Sequence, residues 1–317
     1  MPEVSIIMNC HNGETYLSEA LDSIYSQNFS DWEIVFWDNA STDSSSVIAK
    51  SYDNRLKYYR SDSLTTLGFA RRSAVDVCNG TWISFLDTDD FWFPYKLTTQ
   101  LEALRKSDYV LAYSGITEMD RAGHAIRNNI PAYTSGDIFE QLLYQFDINM
   151  VTPMIRRDVL SRYDINFEES ISASEEYNLF MRLAAKGPVL VQPVVLGKYR
   201  IYEGSLSDRQ ISRWAIERNF TLDQLLQENP NIERRYPLAF REARNRAVYY
   251  KARYQASMGD FEAVRATMRK IASQRLLYRL LYWVSSWPWL WAKIHNSKRN
   301  GMLGSLVLFF RRTERKA

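Results

Sequence analysis

Two cysteines in 317 residues, Cys10 and Cys78, are too few for a disulfide framework and lack any metal-type spacing. They read as small buried hydrophobes in a chain kept in a reducing compartment. No Gly-x-x-x-x-Gly-Lys-Ser/Thr, Gly-x-Ser-x-Gly or His-Glu-x-x-His occurs, which disfavours a P-loop ATPase, a serine hydrolase and a zinc protease. The N-terminus "MPEVSIIMNCHN" has no basic region and only a short apolar run, so it reads as a first β-strand rather than a signal peptide. A cytoplasmic protein is therefore expected. A formal net charge of +3 gives no reason to expect nucleic acid as a partner.

The length allows one large domain or two modest ones, with a sizeable core either way. Val4 to Met8 is a β-branched apolar run, followed by polar "NCHNGE" and then Tyr16, Leu17, Ala20, Leu21 and Ile24 at helical spacing. The pattern returns in "WEIVFWD" with a helix around Val47 and Ile48, in "LKYYRSD" with a helix from Phe69 to Cys78, and in the strand "TWISFLD". Apolar strands separated by helices indicate an α/β fold with a largely parallel sheet covered on both faces. In such sheets ligands collect at the carboxyl ends of the strands, where Asp38 and Asp87 both fall. After Leu104, "YVLAYSGI", "VTPMIRRDVL" and "VLVQPVVLGKYRI" predict further strands in mixed order, and "SEEYNLFMRLAAKG" a helix closed by Gly187. Arg213 to Ala272 reads as helical, with breaks at "NPN" and "MGD". Its "ARYQASMGDFEAVRATMRKIA" has the look of one tetratricopeptide-type hairpin that does not recur.

The run "SFLDTDD" ends in Asp87, Asp89 and Asp90, carboxylates that repel unless something positive compensates. Oxygen ligands suit hard cations, so Asp-x-Asp after a buried strand suggests Mg²⁺ or Mn²⁺ bridging the protein to a diphosphate. The bland alternative is an Asp-rich turn or helix cap. The aromatic and proline segment "FWFPYKL" that follows is poorly suited to a mere solvated turn.

Taken in order, "VSIIMNCHNGETYLSEALDSI", "DNASTD", "GFARR" and "LDTDDFWFPYKL" resemble the inverting glycosyltransferases of family 2, which have the GT-A fold. The likeness runs from Val4 to about Ser207. It implies a Rossmann-like mixed sheet of the nucleotide-diphospho-sugar transferase type. It also implies a nucleotide-sugar donor, UDP- or dTDP-linked, and a glycan or lipid-linked (polyprenyl-diphosphate) acceptor. The resemblance places Asp38 on the base or ribose, with Cys10, His11, Asn12 and Glu14 lining the same pocket. Asp87 goes to the ribose side and Asp89 to the metal, Mn²⁺ or Mg²⁺, with Asp87 as a second metal candidate. Arg71 lies near the diphosphate by the same analogy, and Trp92 and Asp90 on the sugar or acceptor side.

Two departures stand out. The base of the family is typically the Asp of a Glu-Asp pair, whereas this chain has Glu175 and Glu176 at a helix start. Glu176 is the expected base, with Glu175 as the fallback; acids that merely complement a helix dipole are the alternative. In "KYRIYEGSLS" the position of a metal- or diphosphate-binding His is Tyr202, a poor Mg²⁺ ligand, so the metal would rely on Asp89, water and the diphosphate. Tyr202 and Arg200 could still hydrogen-bond the diphosphate.

From Ile271 onward there are nine Lys or Arg and one acid, Glu314. Within this tail, "RLLYRLLYWVSSWPWLWAKIHNSKRN" sets four tryptophans among basic residues, a pattern of the membrane interface. Its apolar runs, "MLGSLVLFF" included, are short against the roughly 20 residues that span a bilayer, so it should lie on the membrane. A helical pair packed on the protein's own core is the alternative. The expected organisation is a nucleotide-sugar half (1–105), an acceptor half (106–210), a C-terminal α-helical extension (211–272) and a membrane-associating tail (273–317). Such a chain would be an inverting glycosyltransferase of surface-polysaccharide assembly, peripheral on the inner face of the membrane. A non-catalytic sugar-binding scaffold and a nucleotidyltransferase are the rival readings.

Overall fold

The computed structural model describes residues 1–202 and 210–296. It divides into two compact units, Met1–Gln210 with Phe220–Phe240, and Ile211–Asn219 with the chain from Arg241 on. Residues 220–240 cluster with the sheet-containing part.

The first unit is built on a nine-stranded sheet of order β3-β2-β1-β4-β8-β6-β9-β5, with β7 paired to β6. Its first half comprises β1 (Val4–Cys10), β2 (Trp32–Asp38), β3 (Leu56–Arg60) and β4 (Trp82–Phe85). These strands are mutually parallel and alternate with α1 (Glu14–Tyr25), α2 (Ser45–Lys50) and α3 (Leu67–Asp76). The mainly apolar strands β1, β2 and β4 are buried along nearly their whole length, as a sheet covered on both faces requires.

Beyond β4 the order becomes mixed. β5 (Phe91–Trp92), β6 (Leu111–Met119), β7 (Ala125–Asn129), β8 (Met154–Arg156) and β9 (Val189–Arg200) add both parallel and antiparallel pairs. The expected strand "VTPMIRRDVL" survives only as the three residues of β8, for the chain turns at Arg157 into helix α6 (Arg157–Tyr163). The helices α4 (Lys96–Leu104), α5 (Phe139–Tyr144) and α7 (Glu175–Ala184) complete this part. The parallel register of β1 on β2 and β4 brings the loops after Cys10, Asp38 and Phe85 to one sheet edge.

The C-terminal helices are α8 (Ile211–Glu228), α9 (Ile232–Arg235), α10 (Pro237–Ser257), α11 (Phe261–Arg269), α12 (Leu276–Val284) and α13 (Pro288–Asn296). The expected hairpin forms across Gly259, whose φ of +76° a residue with a Cβ rarely adopts. In the second unit Val264, Met268, Tyr278, Leu281, Val284 and Trp291 pack with Ala252 into a separate small core. Trp283 and Trp289 are left 62% and 66% exposed, beside partly exposed Leu276, Leu280 and Trp287. No helix among the described residues is long and apolar enough to cross a membrane. The segment "MLGSLVLFF" lies outside the described residues.

One core residue is out of character. Lys96 is fully buried, its ammonium nitrogen bonded to Ser84 Oγ and 3.9 Å from the Trp92 ring centroid. Burial pulls its pKa well below the usual lysine value. The unfolded chain then binds the extra proton, so the residue penalises folding at neutral pH and the penalty fades as pH rises toward the ordinary lysine range. Lys96→Met should raise the thermal midpoint at pH 7, by a margin that shrinks toward pH 10. A lower midpoint at pH 7 would show instead that the charged lysine is net stabilising.

Candidate functional site

At the carboxyl edge of β1, β2 and β4 lies a cavity of about 560 Å³, a size typical of small-ligand sites. The turns that wall it are strained or tight. Asn12 and Ala40 adopt φ of +56° and +57°, conformations that cost of order 1–3 kcal/mol for residues with a side chain. Asn12 offsets part of this by accepting, on Oδ1, the Thr42 backbone N–H at 2.8 Å. At Gly13 any Cβ would sit 2.8 Å from Thr88 Oγ1, so the backbone passes there only because the residue is glycine.

The central feature is a buried ion triad. Arg71, on α3, donates to Asp87 at 2.8 Å and to Glu175 at 2.5 Å while only 4% exposed. It thus ties the loop after β4 to the first turn of α7. Removing one partner of such a buried array typically costs about 3–5 kcal/mol, because a charge is left uncompensated. The next residue, Glu176, also lines the cavity. Burial first, then the neighbouring Glu175, push its carboxyl up to about 8, with Arg71 opposing.

The three aspartates of "LDTDD" occupy three different environments. Asp87 is ion-paired and keeps about a third of its side-chain surface open. Asp89 faces the cavity and accepts the Tyr202 hydroxyl at 2.9 Å; burial and the charge of Asp87 raise its pKa. Asp90 is buried and accepts the Arg200 backbone N–H at 2.9 Å. Desolvation, reinforced by Asp89 and Asp87, holds its pKa well above the carboxylate range. Repulsion within the cluster is therefore eased by the Arg71 cation at Asp87 and by the raised proton affinity of Asp90.

Of the residues expected from the sequence, Cys10, His11, Asn12, Arg71, Asp87, Asp89, Glu175, Glu176, Arg200 and Tyr202 all line this one cavity. His11 donates from Nδ1 to the Asn39 carbonyl at 2.9 Å, which leaves Nε2 to accept from Asn12 at 3.4 Å. Four expectations give way. Trp92 is fully buried, with its indole N–H on the Val151 carbonyl at 2.7 Å, and cannot face a sugar or acceptor. Asp90 is likewise interior and supports Arg200 rather than touching a ligand. Asp38 is sealed under Tyr58, Arg60 and the Ser41 N–H at 2.5, 2.7 and 2.7 Å, so it shapes the turn from outside the cavity lining. Glu14 accepts the Ser44 N–H at 2.8 Å while its own N–H goes to Asp43, a reciprocal clasp between the two loops that is also outside the lining.

The cavity also contains residues that sequence reasoning missed. Asn39 rather than Asp38 reaches the wall. Asn9 lines it with both amide atoms buried and without a partner among the described residues, the usual mark of a group awaiting a ligand or water. Arg121, in the β6–β7 turn, is another lining residue missed. Nothing in "DRAGH" separates it from an ordinary solvated turn.

For a divalent ion the donor set is sparse. Among the described residues no group of three or more His, Cys, Asp or Glu could enclose one. Asp89 and Asp87 nonetheless fit the mode in which Mg²⁺ or Mn²⁺ takes one or two carboxylates and completes its shell with water and substrate phosphate.

The sequence model described as "Glycosyl transferase family 2" matches residues 5–163, half of the chain. An uncharacterized glycosyltransferase of Rickettsia felis is 26% identical over 206 residues, 64% of this chain but 34% of that protein's length. The Escherichia coli enzyme named UDP-Glc:alpha-D-GlcNAc-diphosphoundecaprenol beta-1,3-glucosyltransferase is 24% identical over 210 residues, covering 65% of this chain and 80% of that one. Among solved structures, Staphylococcus aureus TarS 1-349 in complex with UDP-GlcNAc superposes with a TM-score of 0.58 at 18% identity, covering 94% and 93% of the two chains. That likeness carries the fold, α/β of the GT-A kind followed by C-terminal helices.

Glu176 yields a prediction for the pH dependence of stability. Below the unfolded-state value of 4.5 both states hold the proton; between there and about 8 only the folded state does. Stability from this group is therefore lost as pH rises through about 8. Glu176→Gln should raise the thermal midpoint at pH 9 by at least about 2 °C, the shift that ~1 kcal/mol produces in a chain of this size, with little change at pH 4.5. An equal shift at both pH values would assign the effect to packing instead.

Proposed function

The chain belongs to glycosyl transferase family 2, and from that premise we propose that it moves one sugar, with inversion, from a UDP- or dTDP-sugar to a glycan or lipid-linked glycan acceptor of surface-polysaccharide biosynthesis. The observation that carries the reading is the single cavity in which Glu176, the Arg71 triad and Asp89 converge. Support for the polysaccharide setting comes from the diphosphoundecaprenol acceptor in the name of the Escherichia coli relative.

Glu176 is the proposed base in preference to Glu175, which is 3% exposed and held by Arg71. Its ionised form, which gains ground as pH approaches about 8, takes the proton of the acceptor hydroxyl, and that oxygen attacks the anomeric carbon. The bond from that carbon to the diphosphate oxygen breaks on the opposite face, and the nucleoside diphosphate leaves with the electron pair. General-base action of this kind is worth ~10²–10⁴-fold. The Arg71 bridge orients the first turn of α7, which keeps Glu176 at the cavity wall. Asp89, with Asp87 beside it, would hold Mn²⁺ or Mg²⁺, whose charge stabilises a departing diphosphate. Asn9, Asn39 and the loop of Cys10, His11 and Asn12 are proposed for the nucleoside, and Tyr202 and Arg200 for positioning Asp89.

We place the protein in the cytoplasm, on the inner face of the membrane, with the exposed Trp283 and Trp289 edge of α12 and α13 as its contact. Tryptophan favours the headgroup level, and the basic residues from Arg275 on favour anionic lipid. A lipid-linked acceptor would be presented at that surface.

Thermal stabilisation against a panel of nucleotide sugars, with Mn²⁺, Mg²⁺ or chelator, tests the site. One or two UDP- or dTDP-sugars should raise the midpoint only with metal, by several degrees at saturating ligand, and Asp89→Asn should abolish the shift. If no nucleotide sugar acts under any metal condition, a non-catalytic role in a glycan assembly complex becomes the better account. For the membrane contact, sedimentation with vesicles containing phosphatidylglycerol should capture the protein, and the double variant Trp283→Ala/Trp289→Ala should lose most of it. Capture equal in the variant would refute the assigned edge.

A further inference from the structure

Three arginines line the cavity, Arg71, Arg121 and Arg200, and the guanidinium groups of two are already committed. Arg71 is bound to Asp87 and Glu175. Arg200 donates from Nε to the Asp89 carbonyl at 2.9 Å, from Nη1 to the Arg121 carbonyl at 3.0 Å and from Nη2 to Glu19 at 2.7 Å, above the Tyr16 ring. Arg121 differs. Its side chain is exposed, and its guanidinium enters no ion pair or hydrogen bond among the described residues.

Its backbone, by contrast, is fixed. Asp120 Oδ1 accepts the N–H groups of Ala122 and His124, each at 2.9 Å, which closes the β6–β7 turn around Arg121. The Arg121 carbonyl accepts from Tyr16 Oη at 3.3 Å as well as from Arg200. One guanidinium, that of Arg200, thus ties the backbone of Arg121 to the backbone of Asp89. A free arginine is held at a set position beside a wall of four carboxyl groups, Asp87, Asp89, Glu175 and Glu176.

We propose that Arg121 is the side chain through which this cavity grips a diphosphate, its planar fork donating in pairs to phosphate oxygens. The inference rests on the glycosyltransferase reading. A diphosphate entering a carboxylate-lined cavity needs positive charge beyond that of a single divalent ion. Arg121 is the arginine of the lining that can supply it without abandoning an ion partner. The diphosphate can belong to the donor or to a lipid-linked acceptor; the chemistry recognised is the same.

The test is titration calorimetry of the full chain with Mn²⁺, comparing the wild type with Arg121→Ala and Arg121→Lys. The probes are UDP, UMP and farnesyl diphosphate. Arg121→Ala should weaken one of the two diphosphates by about tenfold or more while UMP changes little, and the lysine variant should recover part of the loss. A loss confined to UDP assigns the contact to the donor, and one confined to farnesyl diphosphate assigns it to the acceptor. The thermal midpoint should move little, since the side chain enters no ion pair or hydrogen bond among the described residues. Wild-type affinity for both diphosphates in Arg121→Ala overturns the proposal, as does a loss shared equally by UMP. A wild type that binds none of the probes, nor dTDP or GDP, defeats the glycosyltransferase reading itself and this inference with it.

Discussion

The buried guanidinium of Arg71 is the constraint on which the site depends. It joins Asp87, at the end of a parallel strand in the first half of the sheet, to Glu175, at the start of a helix some ninety residues later. Arg71 and Glu175 are desolvated, so either is costly to lose alone, while Asp87 keeps part of its surface open to water. Glu176 takes its place on the cavity wall because Glu175 is anchored. Its raised pKa follows first from burial and then from the neighbouring Glu175 carboxyl, with Arg71 opposing.

A second constraint runs through Arg200. Its side chain collects the carbonyls of Asp89 and Arg121 and the carboxylate of Glu19, while its backbone N–H satisfies Asp90. The two arginines divide the work of stabilising an acidic turn. One balances charge at its exposed end, and the other supplies hydrogen bonds at its buried end. That division explains how "LDTDD" is tolerated, and why its three acids are not chemically equivalent.

Much of the fold was legible in the chain. The strands from Val4, Trp32, Leu56 and Trp82 announce themselves through β-branched and aromatic runs, and α7 through its apolar spacing after two acids. Less legible were β5, only two residues long and too short to show a period, and β7, exposed throughout and without a buried face to impose a pattern. Arg157–Tyr163 read as strand because Val159 and Leu160 are apolar in either state, and only packing makes them one face of a helix.

The site divides along the same line. Residue type and order were enough to name the acids, the arginine and the loops that meet at one sheet edge, because parallel strands bring their carboxyl ends together whatever the details. Side-chain direction was not available from order alone. Trp92 and Asp90 turn inward, Asp38 is capped by Tyr58 and Arg60, and Asn39 reaches the cavity one residue later. Arg121 sits in a turn indistinguishable in sequence from a solvated one, and becomes part of the cavity only through hydrogen bonds from residues 105 positions before it and 79 after it. The sequence by itself determined the chemistry present. Tertiary structure decided which groups are charged, committed or free, because those properties depend on burial and on partners that chain order does not specify.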